Sequence, residues 1–147
     1  MEWGVRTWSP ESPDLYDITV FGAEPHPNYN RILLSPVLAG EQTLEQIVLN
    51  DWAWYVEHGI TLHAGCTVNE VNRARRTVHA SGKDGQAISV PYDRLILATG
   101  SNPFMLPIPG KDLDGVLAYR DIADTQAMID AATQYQHAVV IGGGLLG

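Results

Sequence analysis

The chain has 147 residues, 45% hydrophobic and 18% charged, with a formal net charge of −8. That length suits one ordinary domain with a packed core, and an acidic chain whose one basic cluster is Arg73, Arg75 and Arg76 argues against a nucleic-acid interface. A single cysteine, Cys66, excludes an internal disulfide, a C-x-x-C redox pair or a cysteine-held cluster and fits a reducing, cytoplasmic setting, while no apolar run approaches the roughly 20 residues of a membrane span.

In chain order, residues 1–13 read as an irregular leader without an apolar signal core. Tyr16–Phe21 is continuously apolar and β-rich, as a strand buried on both faces would be. Ser35-Pro36 through Gly40 predicts a short helical turn, with serine at the N-cap, proline at the first helical position and glycine at the stop. Asn50 caps a predicted helix over 51–58, with Trp52, Tyr55 and Val56 on one face and Gly59 as its terminator. Short strands follow at 60–63, 67–71, 77–80 and 88–90. Turn chemistry at 72–75 and 82–85 makes this stretch a small antiparallel meander. Arg94–Ala98 predicts a further buried parallel strand. The three prolines of 102–110 mark an extended linker, and Asp121 or Asp124 starts a helix to about Gln134, with Met128, Ala131 and Tyr135 on one face. Ala138–Ile141 predicts a last strand.

That last run leads into Gly142, Gly144 and Gly147 at G-x-G-x-x-G spacing. After a strand, the first glycine permits a tight turn, the second lets the backbone approach a pyrophosphate, and the third allows close helix packing. At the other end, Glu24 follows the first strand where a carboxylate can accept hydrogen bonds from an adenosine ribose. The five histidines are scattered and suggest no metal site. No residue reads as an acid–base or nucleophilic catalyst, and hydride chemistry carried by a cofactor requires none.

Between these ends, Pro27, Tyr29, Arg31, Leu34 and Ser35 match a P-x-Y-x-R-x-x-L-S pattern, and Tyr92–Pro103 reads YDRLILATGSNP. The chain thereby resembles the FAD/NAD(P)-dependent pyridine-nucleotide oxidoreductases. The strings around Asn28–Glu41, the WAWYVEHGI helix and VVIGGGLLG are most similar to the large subunit of assimilatory NADH nitrite reductase. Many relatives that reduce ferredoxins carry a lysine where this chain has Pro36, which favours the nitrite-reductase branch; a ferredoxin- or rubredoxin-type reductase is the alternative parent. The resemblance implies FAD and NAD(P)H as cofactors. It places Glu24, Arg31, Ser35, Val68, Ala98, Thr99, Gly100 and Arg120 toward FAD, and Gly142, Gly144 and Gly147 toward NAD(P)H. In that family electrons pass from FAD through iron–sulfur centres to sirohaem, whose ligand regions do not occur in this sequence.

The expected fold is therefore α/β: an incomplete, three-layer Rossmann-like FAD/NAD(P)-binding fold with a small antiparallel meander. The divisions would be a leader over 1–13, a partial FAD-binding domain over 14–110 lacking its first βα unit, and the start of an NAD(P)-binding domain over 111–147. Three readings remain: a partial reductase, one half of a split flavoenzyme completed by a partner chain or small subunit, or a non-catalytic interaction domain that keeps cofactor motifs.

Overall fold

The computed structural model describes residues 16–142. These form two compact units, one of residues 16–30 with Glu45–Gly100, the other of Arg31–Leu44 with the chain from Ser101 onward. The leader over 1–13 and the glycines Gly144 and Gly147 lie outside the described residues.

In the first unit, β1 (Thr19–Gly22) and β2 (Thr61–Ala64) run parallel, with Thr19 opposite Thr61 and Gly22 opposite Ala64. Their β-branched and aromatic residues favour the extended chain, and the rings of Phe21 and His63 stack across the ladder at 4.9 Å. A parallel pair needs a long crossover. Here it ends in α2 (Trp52–Glu57), which packs on β2. The Asp51 side chain caps α2 by accepting from the Trp54 amide at 2.8 Å. At the other end Gly59, with φ of 64°, closes a Schellman turn in which Ile60 N donates to Tyr55 O and Gly59 N to Val56 O. Beyond β2, the strands β3 (Thr67–Asn72), β4 (Thr77–Ser81) and β5 (Ala87–Pro91) form an antiparallel meander in the order β3-β4-β5. The alternation of β4 buries Val78 and Ala80.

In the second unit, a 3₁₀ turn at Arg31–Leu33 leads into α1 (Leu34–Leu38), which packs against α3 (Ile122–Gln134) through Leu34, Val37, Ile122 and Thr125. Asp121 caps α3 in a reciprocal box with Asp124, each carboxylate accepting from the other residue's amide. Thr125 is buried because its hydroxyl returns a 2.9 Å bond to the Asp121 carbonyl.

Several sequence expectations are corrected. Ile60–His63 belongs to the parallel pair rather than the meander, because β2 finds its ladder on β1. Arg94–Ala98 and Ala138–Ile141 are not strands. Among the described residues no strand pairs with either, and a buried parallel strand exists only between ladder partners. Their side chains instead face solvent, Ile96 at 66% and Val139 at 88% exposure. Asp51, not Asn50, caps α2, since it immediately precedes the first helical residue. Ser35 lies inside α1 rather than at its N-cap, which is Leu33. Of the apolar α2 face only Tyr55 is buried; Trp52 and Val56 are exposed, as a two-stranded sheet covers only part of the helix. In α3 the buried residues are Ile122 and Thr125, in the first turn that meets α1, while Tyr135 stands exposed and extended past the last turn.

Asp51→Ala should lower unfolding free energy by about 1 kcal/mol in urea melts, whereas Asn50→Ala should change it by a few tenths at most. Burial also pushes the Tyr55 phenol above its ordinary 10.0, against the hydrogen bond at Asn28, which pulls the other way. Below pH 10.0 the phenol is neutral in both states. Above it the unfolded chain ionises first, so this part of the stability is lost as pH rises through the raised folded-state value. Melting Tyr55→Phe beside the parent chain should show a shallower alkaline decline in the variant.

Candidate functional site

In the first unit, two backbone bonds fasten the end of β1 to the turn between β2 and β3. Cys66 N donates to Gly22 O and Gly65 N to Glu24 O, each at 2.9 Å. Gly65 holds φ of 70°, and a Cβ placed there would meet the Pro25 side chain at 3.7 Å. That contact is of ordinary van der Waals length, so it is the positive φ that favours glycine here. The carboxylate of Glu24 accepts from the Tyr29 hydroxyl at 2.6 Å. Tyr29 is itself buried and fixed by a β-bridge to Val48, flanked by Asn30 N to Ile47 O at 2.8 Å and Leu49 N to Asn28 O at 3.0 Å.

Three residues beyond Gly65, Val68 lies on β3. It is 40% exposed rather than core. β3 is an edge of the meander, and its register shifts between Val68 and Glu70. Among the described residues no strand pairs with one side of its backbone, and the turn before it is tied to the Glu24 carbonyl. An adenosine needs this chemistry, since its ribose diol donates to a carboxylate and its base edge pairs with exposed backbone groups. Ala98 is half-buried, and Thr99 and Gly100 are exposed outside any strand, with Gly100 at φ of 70°.

In the second unit, the Arg31 guanidinium donates through Nη1 to the Arg120 carbonyl at 2.7 Å. The Arg120 amide donates to Asp124 Oδ2, also at 2.7 Å. The Arg120 backbone is thus held from both sides, and Ser35 Oγ lies 3.1 Å from the Tyr119 hydroxyl in the same latch. The structure so brings Arg31, Ser35 and Arg120 together. Two guanidinium-bearing residues, linked through the Arg120 carbonyl, suit a doubly charged pyrophosphate. Gly142 is exposed, at a φ of 139° that glycine alone adopts readily.

The sequence pattern contains Tyr29 without revealing a role for its side chain, and carries no signal for Tyr119. The signal for Asp124 was present: an Asp-x-x-Asp spacing at a helix start is that of a capping box.

The profile of the pyridine nucleotide-disulphide oxidoreductases matches residues 12–147. The chain belongs to this family. Among relatives within and around it, the chain is 58% identical over 134 residues to "Nitrite reductase [NAD(P)H]" of Bacillus subtilis (strain 168), covering 91% of this chain and 16% of that protein. It is 50% identical to the "Assimilatory nitrate reductase electron transfer subunit" of the same organism, covering 90% of this chain and 17% of that protein. The chain therefore spans about one sixth of these relatives' length. The solved NADH:rubredoxin oxidoreductase from Clostridium acetobutylicum superposes with a TM-score of 0.77 at 23% identity, covering 88% of this chain and 32% of that one, which establishes the family fold. The parallel β1–β2 pair and the antiparallel meander are a fragment of that Rossmann-like fold.

Gly65→Ala should cost about 1 kcal/mol or more in denaturant melts, because alanine is strained at this φ. Unchanged stability would contradict the fastened corner. Arg31→Ala should speed amide exchange at Arg120 and Asp121 without altering β1.

Proposed function

We propose that this chain supplies the adenosine- and pyrophosphate-binding part of a flavoprotein reductase. The whole protein would pass hydride from NAD(P)H to FAD and deliver the electrons to nitrite, giving ammonia. The observation that carries the reading is the Glu24 carboxylate, fixed by Tyr29 and tied through its own carbonyl to the turn that leads into β3. The 58% identity to a nitrite reductase of Bacillus subtilis supports the nitrite step.

When bound, FAD supplies the hydride-accepting ring. The residues of this chain bind and orient it. Glu24 accepts from the ribose hydroxyls, and the backbone at Val68 meets the adenine edge. Arg31 and Arg120 neutralise pyrophosphate charge, with Ser35 steadying the segment through Tyr119. Ala98, Thr99 and Gly100 form the stretch that approaches the flavin, where Gly100, at a positive φ, presents no Cβ. Gly142, with Gly144 and Gly147, receives NAD(P)H.

A second element of the proposal follows from the exposed runs at Leu95–Leu97 and Val139–Ile141. Apolar β-rich segments that find no ladder partner among the described residues invite pairing, so further polypeptide, in the same protein or in a complementing chain, completes the flavin and nicotinamide domains. Domain limits of 14–110 and 111–147 belong to this reading. Among the described residues no helix is long and apolar enough to cross a membrane, and we place the protein in the reducing cytoplasm.

Titration of FAD into the chain should give a saturable change in flavin fluorescence. Glu24→Ala should weaken it several-fold, and Arg31→Ala should reduce its salt dependence. No saturable change up to millimolar FAD would contradict the proposal.

A further inference from the structure

A glutamate side chain turns about three torsions, and freezing them costs free energy whenever a ligand demands one geometry. In this chain that freedom is already removed. The Tyr29 hydroxyl donates to Glu24 Oε2 at 2.6 Å, a short bond of the charge-assisted kind. Tyr29 can impose the geometry because it is itself immobile: its ring is buried at 9% exposure and its backbone is bridged to Val48. The Glu24 backbone is fixed separately by Gly65. Both ends of the side chain are therefore anchored, one to the β2–β3 turn and one to the segment after Pro27. A carboxylate has about four lone-pair positions, so accepting from Tyr29 does not by itself fill it.

We propose that Tyr29 is a positioning residue for Glu24. It orients the carboxylate toward the adenosine ribose diol and so favours ligands that carry both hydroxyls. The inference rests on the adenosine-site reading above. It adds a residue to which the sequence motif assigned no chemistry, and a ligand preference that follows from it.

The test titrates FAD, and an FAD analogue built on 2′,3′-dideoxyadenosine, into the full chain and into Tyr29→Phe, Glu24→Gln and the double variant. Tyr29→Phe should weaken FAD roughly three- to tenfold, the range of one hydrogen bond, and leave the analogue's affinity unchanged. In the Glu24→Gln background it should add no further loss. Equal weakening of both ligands, or a full additional loss in that background, would assign Tyr29 a general structural role and overturn the proposal. An unchanged FAD affinity in Tyr29→Phe would overturn it too, while leaving the adenosine site standing. A parent chain that binds no FAD would remove the site and this inference together. If Tyr29→Phe does not fold, the NMR resonance of the hydroxyl-bearing carbon of Tyr29 in the parent chain gives the answer. It should shift with ADP and not with 2′,3′-dideoxy-ADP, and identical responses would overturn the proposal.

Discussion

A parallel strand pair cannot be closed by a tight turn, so β1 and β2 meet only after the chain has travelled through the crossover between them. The first unit depends on that meeting. Four residue pairs set the register, and two further backbone bonds carry the zipper past the end of the ladder, from Cys66 to Gly22 and from Gly65 to Glu24. These bonds tie the Glu24 backbone to the turn that leads into the edge strand β3. A one-residue slip of β2 against β1 would move Gly65 out of the position where the chain turns with a positive φ and its amide meets the Glu24 carbonyl. Fold and site are thus set by the same register.

The second unit reaches a similar result with side chains. Among the described residues its core is small, with Leu34, Val37, Ile122 and Thr125 buried on α1 and α3, and polar bonds do much of the fastening. Asp124 serves twice, closing the α3 cap and holding the Arg120 amide. Arg31 holds the Arg120 carbonyl. Such bonds each contribute about 1 kcal/mol or somewhat more where a charge is involved. Their larger consequence is geometric, since they hold the Arg120 backbone between the Arg31 guanidinium and the Asp124 carboxylate.

Much of this was legible in the residues. The meander declared itself through alternation and turn chemistry, α3 through its aspartates, and the family through motifs from Glu24 to Gly142. What misled was non-local. Arg94–Ala98 and Ala138–Ile141 have the composition of buried strands, but composition cannot say whether a ladder partner is present. Ile60–His63 looked like its meander neighbours, and only the register with β1 separates it from them. The α2 cap differs by one position for a local reason: Asn50 and Asp51 are both good N-caps, and only the backbone shows which one precedes the first helical residue. Tyr29 stayed silent because a tyrosine in a motif does not reveal what its hydroxyl will meet five residues upstream.

The central claim is that the corner formed by Gly22, Glu24, Gly65 and Cys66 is built before any ligand arrives and is where adenosine binds. Amide hydrogen exchange of Gly65 and Cys66, read by NMR with and without ADP, tests it most directly. The account predicts both amides well protected in the free chain and slowed further by ADP. Exchange at the rate of an unstructured peptide, or protection that ADP leaves unmoved, would contradict it.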